Sequence, residues 1–378
     1  MRFSSVPWKR LRRGLAAAVI VCGLGAGGVL AWRAYWADDL LANATRITSV
    51  KAWMLSLPDS LPQGDIASGG GSYRWISDRR VLFFHDLTAT EEVDSKTGRR
   101  WGLTSYGAGH AAIYDTETRR TEELAPLTRL LQQTRCDTWN AEIAPDRTHL
   151  MWTGGDYQRT YSASLDGSEF LSWTGHSTIM VWLGPEERPA LEEFRDHANW
   201  AAFRLPPWRG HAEGRITLQD ISNGMDALGA SGDNRIYFLD SDKDFTVSPP
   251  VTSYAILVKQ IGDHSDAVQR FPVRFAVQPY VDHAVALISA NRICWLVEGK
   301  ATLPIDRLLQ RFAPHFARGP RPAESIWTSR LDGSGLRLEG SVPVKSPGDR
   351  TIHSVQWLPS GRRVSFVYHD VLYTVPVD

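Results

Sequence analysis

The sequences TYSASLDGSEFL (residues 160–171) and SIWTSRLDGSGLRL (residues 325–338) share one pattern. Each is a short strand-like run that ends in Leu-Asp-Gly-Ser. Such runs are typical of β-strands with one buried face. Asp-Gly is typical of a tight reversal, because Gly tolerates positive φ and Asp bonds to its own backbone. Two copies separated by nearly half of the chain therefore indicate a repeated β-hairpin.

Related copies occur along the rest of the chain. WISDRRVLFFHDL (75–87) matches WLPSGRRVSFVYHDVL (357–372) in its Trp, its polar turn and its Arg-Arg-Val run. Further copies begin at Ile143, Val181, Leu228 and Gln278. Their spacing, mostly about 40–50 residues, is that of propeller blades, which must stack because no single blade buries both of its faces. We expect an all-β propeller of about six four-stranded blades, with seven as the alternative, in which Trp fills the wedge between blades.

The end of the chain predicts how the ring closes. Residues 371–378, VLYTVPVD, are strand-like and leave the last copy one strand short. Residues 48–58, TSVKAWMLSLP, would complete that blade and hide two exposed edges, unless they are a linker. After the N-terminal region, only residues 124–133 and 304–313 have leucines at helical spacing, so these two segments are expected to be helices.

The chain resembles the TolB-like and PD40 class of WD40-related β-propellers. Their blades read as a Trp, a Ser-Pro-Asp-Gly turn, an apolar strand and a strand that ends in Leu-Asp-Gly. Residues 357–361 and 144–146 resemble the first part of this pattern, and residues 326–333 and 161–167 resemble the last. No Trp-Asp dipeptide of true WD40 blades occurs. The resemblance implies the fold, and it points towards binding of protein partners or cell-envelope material.

The N-terminal residues predict a membrane anchor. Four basic residues at positions 9–13 directly precede an uncharged run of about 19 residues, 14–32, which is roughly the length that crosses a bilayer. The positive-inside rule then predicts a single-pass protein of the cytoplasmic (inner) membrane with its C-terminal domain in the periplasm. The expected parts are a cytoplasmic tail, a signal-anchor helix, a linker with the possible closing strand and the propeller: 1–13, 14–36, 37–72 and 73–378. A cleaved signal peptide and a cytosolic protein with a buried helix are the alternatives.

Composition limits the partners and the cofactors. The chain has 378 residues and a formal net charge of zero, so it has no overall field for a polyanion and a nucleic-acid partner is not expected. Cys136 and Cys294 either pair in a disulfide or remain two separate buried thiols. No Gly-x-Ser-x-Gly elbow and no zinc-ligand cluster are present, so neither a serine hydrolase nor a zinc site is expected.

One loop, HANWAAFRLPPWRGH (197–211), carries the candidate binding residues. Aromatic residues and arginines are favoured at interfaces, and this segment concentrates them in Trp200, Arg204, Trp208, Arg209 and His211. The alternatives are packing within the third blade and contact with a ligand or a partner.

A second segment carries the candidate metal ligands. Asp240, Asp242 and Asp244 alternate as in the first half of a calcium loop, although Phe245 stands where such a loop needs Gly. A bound Ca²⁺ and a solvated hairpin are the alternatives, and no other cofactor is predicted.

Two functions are compatible with these features. The first is a membrane-held binding or scaffolding module for protein partners or envelope material. The second is an envelope glycan hydrolase or lyase, whose paired carboxylates would meet in the propeller funnel without forming a local motif. The sequence contains no paired acid–base motif, so it favours binding.

Overall fold

This computed structural model describes residues 39–377, with gaps at 51–72, 86–87, 94–99, 108–109, 155–158, 175–179, 184–187, 197–199, 220–224, 231–234, 245, 247–250, 262–268, 276–280, 290, 302–303, 317–318 and 345–350. The predicted tail and signal-anchor helix, residues 1–13 and 14–36, lie outside the described residues. Among the described residues, none of the helices is long and apolar enough to span a bilayer.

The described strands form six four-stranded antiparallel sheets, the blades, and one separate hairpin. Blades 1 and 2 consist of β2 (Tyr73–Trp75), β3 (Arg80–His85), β6 (His110–Asp115) and β7 (Arg120–Glu123), then β8 (Cys136–Ile143), β9 (His149–Gly154), β10 (Arg159–Ser164) and β11 (Leu171–Thr174). Blades 3 and 4 consist of β12 (Met180–Leu183), β13 (Arg188–Asp196), β14 (Trp200–Leu205) and β15 (Gly214–Gln219), then β16 (Met225–Ala230), β17 (Arg235–Asp244), β18 (Val251–Gln260) and β19 (Gln269–Val273). Blades 5 and 6 consist of β20 (Val281–Ile288), β21 (Arg292–Ala301), β22 (Arg321–Arg330) and β23 (Arg337–Pro343), then β24 (Ile352–Trp357), β25 (Arg363–Tyr368), β26 (Val371–Pro376) and β1 (Thr45–Ser49). The extra hairpin consists of β4 (Thr88–Val93) and β5 (Arg100–Gly107).

The six blades form a closed ring. The first strands of blades 1 and 2 and those of blades 3 to 6 lie side by side, and β24 of blade 6 also lies against β2 of blade 1. One buried apolar cluster occupies each of the six junctions between neighbouring blades. The prediction of an all-β propeller is confirmed, with six blades rather than seven. Because the strands are antiparallel, the turns after the first and the third strand of every blade emerge on one face, here called the turn face.

An N-terminal strand completes the last blade. β1 pairs with β26 from Thr45 opposite Thr374 to Ser49 opposite Val371. Helix α1 (Leu40–Asn43) precedes β1, and fully buried Leu40 packs into the cluster between blades 5 and 6. The predicted closure is confirmed, but the strand begins at Thr45 and shares only Thr48 and Ser49 with the predicted segment, whose residues 51–58 lie outside the described residues.

Two tryptophans fill the wedge that was predicted for them. Trp75 ends the first strand of blade 1, and its indole N–H donates to Ser365 Oγ of blade 6 at 2.7 Å. Trp357 ends the first strand of blade 6 and donates to the carbonyl of Leu287 in blade 5 at 2.9 Å. At equivalent positions, each ring therefore ties its blade to the preceding one.

A basic residue begins the second strand of every blade, namely Arg80, His149, Arg188, Arg235, Arg292 and Arg363. Several of these side chains reach across to the third strand of their own blade. Arg363 donates to Thr374 Oγ1 at 2.6 Å, and Arg235 donates to Gln260 Oε1 at 3.2 Å. The Arg-Arg-Val run seen in two copies of the repeat is thus part of a wider structural pattern.

The two Leu-Asp-Gly-Ser turns connect the third and fourth strands of blades 2 and 5, as predicted. Gly167 and Gly333 have φ of 82° and 73°. Asp166 and Asp332 each accept the backbone N–H two residues ahead at 2.9 Å. A Cβ on Gly167 would lie 2.5 Å from Pro126 Cβ, and a Cβ on Gly333 would lie 2.7 Å from Val273 Cγ2. These turns therefore require Gly for both conformation and space.

Replacement of Gly167 or Gly333 by Ala should destabilise the protein more than backbone strain at positive φ does by itself. Gly210→Ala is the matched control, because Gly210 has φ of 85° but no atom within 4 Å of the added Cβ. We expect Gly210→Ala to cost roughly 1 kcal/mol and Gly167→Ala or Gly333→Ala roughly 2–3 kcal/mol. Denaturant unfolding of the three variants measures the difference, and equal losses would show that the close contacts with blade neighbours relax freely.

Both predicted helices are present, as α2 (Ala125–Gln133) and α3 (Pro304–Phe312). The possible disulfide is not formed. Cys136 and Cys294 are buried thiols outside any disulfide, and they belong to the apolar clusters at two different junctions, blades 1–2 and blades 5–6. The alternative of two separate thiols is correct, because the ring places the two residues in different wedges.

A buried carboxylate joins blades 5 and 6. Glu324 of β22 is 1% exposed and accepts from the Thr351 backbone N–H at 2.9 Å, the Thr351 hydroxyl at 2.7 Å and the Ile352 N–H at 2.6 Å. Burial raises the pKa of Glu324 to about 7 in spite of these donors, and the charge of Glu298 on β21 adds to the rise.

This carboxylate should make stability depend on pH. Between its ordinary pKa of 4.5 and about 7, the folded protein holds the proton that the unfolded chain loses, so the free energy of unfolding falls as pH rises through that window. At ~1.4 kcal/mol per pKa unit, the loss is at most about 3 kcal/mol. Glu324→Gln should abolish the slope, whereas Glu122→Gln on exposed β7 should retain it, as urea unfolding across the window would show. A flat wild-type profile would contradict this assignment.

Candidate functional site

The junction between blades 2 and 3 contains the candidate loop. Trp208 is 3% exposed and packs with Met151, Trp173 and Leu191, the other buried members of the cluster at this junction. Its ring centroid lies 5.8 Å from that of Trp182 and 6.3 Å from that of Trp173. Trp208 packs against residues of both blades in this cluster, so it contributes to the contact between blades 2 and 3.

Polar groups surround this aromatic cluster at the turn face. The Arg209 guanidinium lies 5.3 Å from the Trp208 ring centroid and forms an ion pair with Asp146 of blade 2. The Nδ1 atom of His149 lies 3.0 Å from a carboxylate oxygen of Asp146, and its Nε2 atom lies 2.8 Å from a carboxylate oxygen of Glu169. Burial opposes ionisation of Asp146, but hydrogen bonds from Thr148, Arg209 and His149 outweigh it and lower the pKa of Asp146 below its ordinary value.

The other members of the candidate set are placed differently. Arg204 pairs with Glu213 at 2.7 Å and donates to the carbonyl of Thr174 at the end of blade 2. His211 is half-buried and exchanges backbone hydrogen bonds with Trp208 across a two-residue turn. Trp200 begins β14, whereas Trp208 follows the other end of that strand. The side chain of Trp200 is not among those that the structure describes. The contacts of Arg204, Trp208 and Arg209 join blades 2 and 3, and a ligand role for the set stays a prediction.

The three aspartates of the candidate calcium site follow each other along β17, at the end remote from the turn face. Asp240 pairs with Arg270 at 2.7 Å. Asp244 accepts from the Thr246 backbone N–H at 2.8 Å and from its hydroxyl at 2.6 Å, and the hydroxyl and the backbone N–H lower the pKa of Asp244. Asp242 is exposed between them. Within the described ranges, no three His, Cys, Asp or Glu side chains are grouped to hold a metal ion, and Ca²⁺ binding stays a prediction.

A cavity of about 760 Å³ opens at the turn face between blades 4 and 5. Its volume lies within the range of ~300–1,000 Å³ that small-molecule sites occupy. The cavity is lined by both blades: Arg235, Tyr237, Val258, Gln269 and Phe271 from blade 4, and Asn291, Arg292, Ser329, Arg330, Leu331, Asp332 and Gly335 from blade 5. Sequence analysis missed it, because its residues come from several separate strand ends that only the ring brings together.

The chemistry of this lining is distinctive. Its described residues combine three arginines with one carboxylate, Asp332, and an apolar wall that includes Phe271 and Leu331. Hydrogen bonds from the Ser334 hydroxyl and backbone N–H lower the pKa of Asp332, and the Arg330 charge lowers it further. Asp332 therefore stays ionised at neutral pH and is held by its own turn, so it is poorly suited to donate a proton.

No family model matches the chain, and no curated protein matches it. Similar solved structures include the β-propeller domain of the Trilobed protease from Pyrococcus furiosus, at 10% identity over 82% of this chain and 80% of that one, with a TM-score of 0.38. An oligogalacturonate lyase in complex with manganese matches at 10% identity over 83% of this chain and 99% of that one, with a TM-score of 0.34. A chain of the Mitotic Checkpoint Complex matches at 12% identity over 89% of this chain and 95% of that one, with a TM-score of 0.43.

Sequence identities of 10–12% to these structures assign no activity to the chain. The propeller fold is established by the order of its own strands, and the narrower resemblance to TolB-like and PD40 propellers stays a prediction.

If Trp208 joins blades 2 and 3, its removal should affect stability. We expect Trp208→Ala to lower the free energy of unfolding by roughly 3–5 kcal/mol, since a large buried ring is lost. Arg209→Gln should cost less than about 1 kcal/mol, because its ion pair with Asp146 is partly solvated. Urea unfolding of both variants gives the comparison. A stable Trp208→Ala protein would instead favour a ligand role for the ring.

Proposed function

We propose that this chain is a membrane-anchored, extracytoplasmic propeller that binds a protein partner or envelope material in the cavity between blades 4 and 5. The observation that carries the proposal is the lining of this large cavity, whose described residues include arginines, aromatic side chains and a single carboxylate. Arginine and aromatic side chains are the groups that dominate binding energy at recognition sites.

The same lining argues against glycan hydrolysis at this place. Hydrolases of that class use two carboxylates about 5–10 Å apart, one as acid and one as base or nucleophile. Asp332 is the only carboxylate among the described residues of the lining, and the Ser334 backbone N–H already donates to it at 2.9 Å. A binding role requires no second carboxylate.

The basic tail and apolar run at residues 1–36 support the cellular address within this proposal. The first described residue, Asp39, is bridged to Ser341 of blade 5, so the propeller begins within a few residues of the predicted membrane span. The proposed binding module would therefore stand close to the membrane surface.

Capture of a ligand from envelope extract tests the proposal. The bait is the full-length chain in detergent, and Asn291→Trp is the test variant, because exposed Asn291 lines the cavity and a Trp side chain would fill part of it. Gln133→Trp, at the exposed end of α2 and outside the cavity, is the matched control.

We expect a stoichiometric ligand with the wild-type chain and the control, and a loss of at least roughly tenfold with Asn291→Trp. Thermal unfolding checks that all three proteins are folded. Equal capture by the three proteins would contradict the cavity as the binding site. Turnover of envelope glycan without any captured ligand would contradict the binding role itself.

A further inference from the structure

We infer that the ligand of the cavity between blades 4 and 5 presents an oxyanion, a carboxylate or a phosphate, to Arg330. The inference rests on the proposed function, because it names the chemistry of the ligand at the same place. It goes further by assigning one residue that would distinguish charged from neutral ligands.

The blade architecture does not require an arginine at position 330. The Leu-Asp-Gly-Ser turn of blade 2 has Ser164 at the equivalent position, directly before the leucine. Both turns close with the same backbone hydrogen bonds, from the N–H of Ser164 to the carbonyl of Ser168 at 3.0 Å and from the N–H of Arg330 to the carbonyl of Ser334 at 2.9 Å. The turn therefore forms with either residue. Of the two blades that contain this turn, only blade 5 has an arginine at this position.

The ring brings two further arginines to the same cavity. Arg235 and Arg292 begin the second strands of neighbouring blades, where a basic residue recurs around the propeller. Among the described residues, Arg235 and Arg330 give the lining two positive charges against the one negative charge of Asp332, and Arg292 adds its charge from the opposite face of blade 5. Guanidinium groups bind carboxylates and phosphates in bidentate geometry, so this set matches an oxyanion.

Arg292 belongs to the lining, but its guanidinium is held on the face of blade 5 that points towards blade 6, the face that carries Cys294. Its guanidinium donates to Thr328 Oγ1 and to the carbonyl of Val377, each at 3.4 Å. Thr328 in turn donates to buried Glu339 at 2.5 Å. Arg235 and Arg330 are therefore the arginines of the lining that remain to contact a ligand.

The apolar wall shows that a bare inorganic ion would use only part of the site. Phe271 and Leu331 are half-buried in the lining, and Tyr237 and Val258 are nearly fully buried behind them. A ligand that covers this wall would carry an organic body next to its charged group.

A matched set of small probes tests the inference on the full-length chain. Phenylacetate and phenyl phosphate each join an apolar ring to an oxyanion, and phenylacetamide is the neutral counterpart. Arg330→Ser installs the residue that blade 2 uses in the same turn, and Arg120→Ser removes an exposed arginine after the corresponding turn of blade 1. Affinities are measured by calorimetry or ligand-observed NMR at low and high salt.

We expect at least one anion to bind the wild-type chain roughly tenfold to a hundredfold more tightly than phenylacetamide, and more weakly at high salt. Arg330→Ser should lose this preference, and Arg120→Ser should retain it. The anion that binds better identifies carboxylate or phosphate as the preferred group.

Equal binding of the neutral probe, or an unchanged preference in Arg330→Ser, would overturn the inference. These outcomes leave the proposed function separately testable. If Asn291→Trp still abolishes capture of the envelope ligand, only the oxyanion assignment fails. If Asn291→Trp has no effect on capture, the cavity itself is the wrong place.

Discussion

The pairing of β1 with β26 is the contact on which the closed ring depends. The last blade has only three strands of its own at the C-terminal end, and β1 supplies the fourth from the other end of the described chain. Without β1, one edge of β26 would have no backbone partner, and Leu40 would leave the apolar cluster between blades 5 and 6. Strand pairing and side-chain burial thus act on the same segment, residues 39–49.

The blades repeat their structural devices and differ at their junctions. Trp75 and Trp357 tie their blades to the preceding ones in the same way, and a basic residue starts each second strand. The junction between blades 2 and 3 is instead filled by Trp208, whereas the junction between blades 4 and 5 opens into a cavity at the turn face. Ligand binding is best sought where a blade departs from the repeated pattern. Arg330 of blade 5 is such a departure, because the equivalent turn of blade 2 has Ser164.

Sequence analysis predicted those features that depend on neighbouring residues. The Leu-Asp-Gly-Ser turns, the two helices and the strand rhythm follow from local conformational preferences, so Gly167 and Gly333 have the expected positive φ. Residue types alone did not distinguish packing from binding, which is why Trp208 was a binding candidate although it is buried.

Contacts between distant segments were harder to predict. The cavity joins strand ends that lie up to about 100 residues apart, such as Arg235 and Gly335, and only the circular arrangement makes them neighbours. The separation of Cys136 and Cys294 follows from the same arrangement, since each blade junction isolates its own buried residues. Ring closure, in contrast, was predictable, because an incomplete terminal blade needs a partner strand.

The position of β1 also determines how the propeller would respond to mechanical load. A pull on the chain before Asp39 reaches the ring first through the docked Leu40 and then through the ladder between β1 and β26. The five-residue strand lies at the outer edge of blade 6, so force would peel it away before disturbing the strands around the axis. The strand that closes the ring, β1, is therefore also the segment expected to detach first under load.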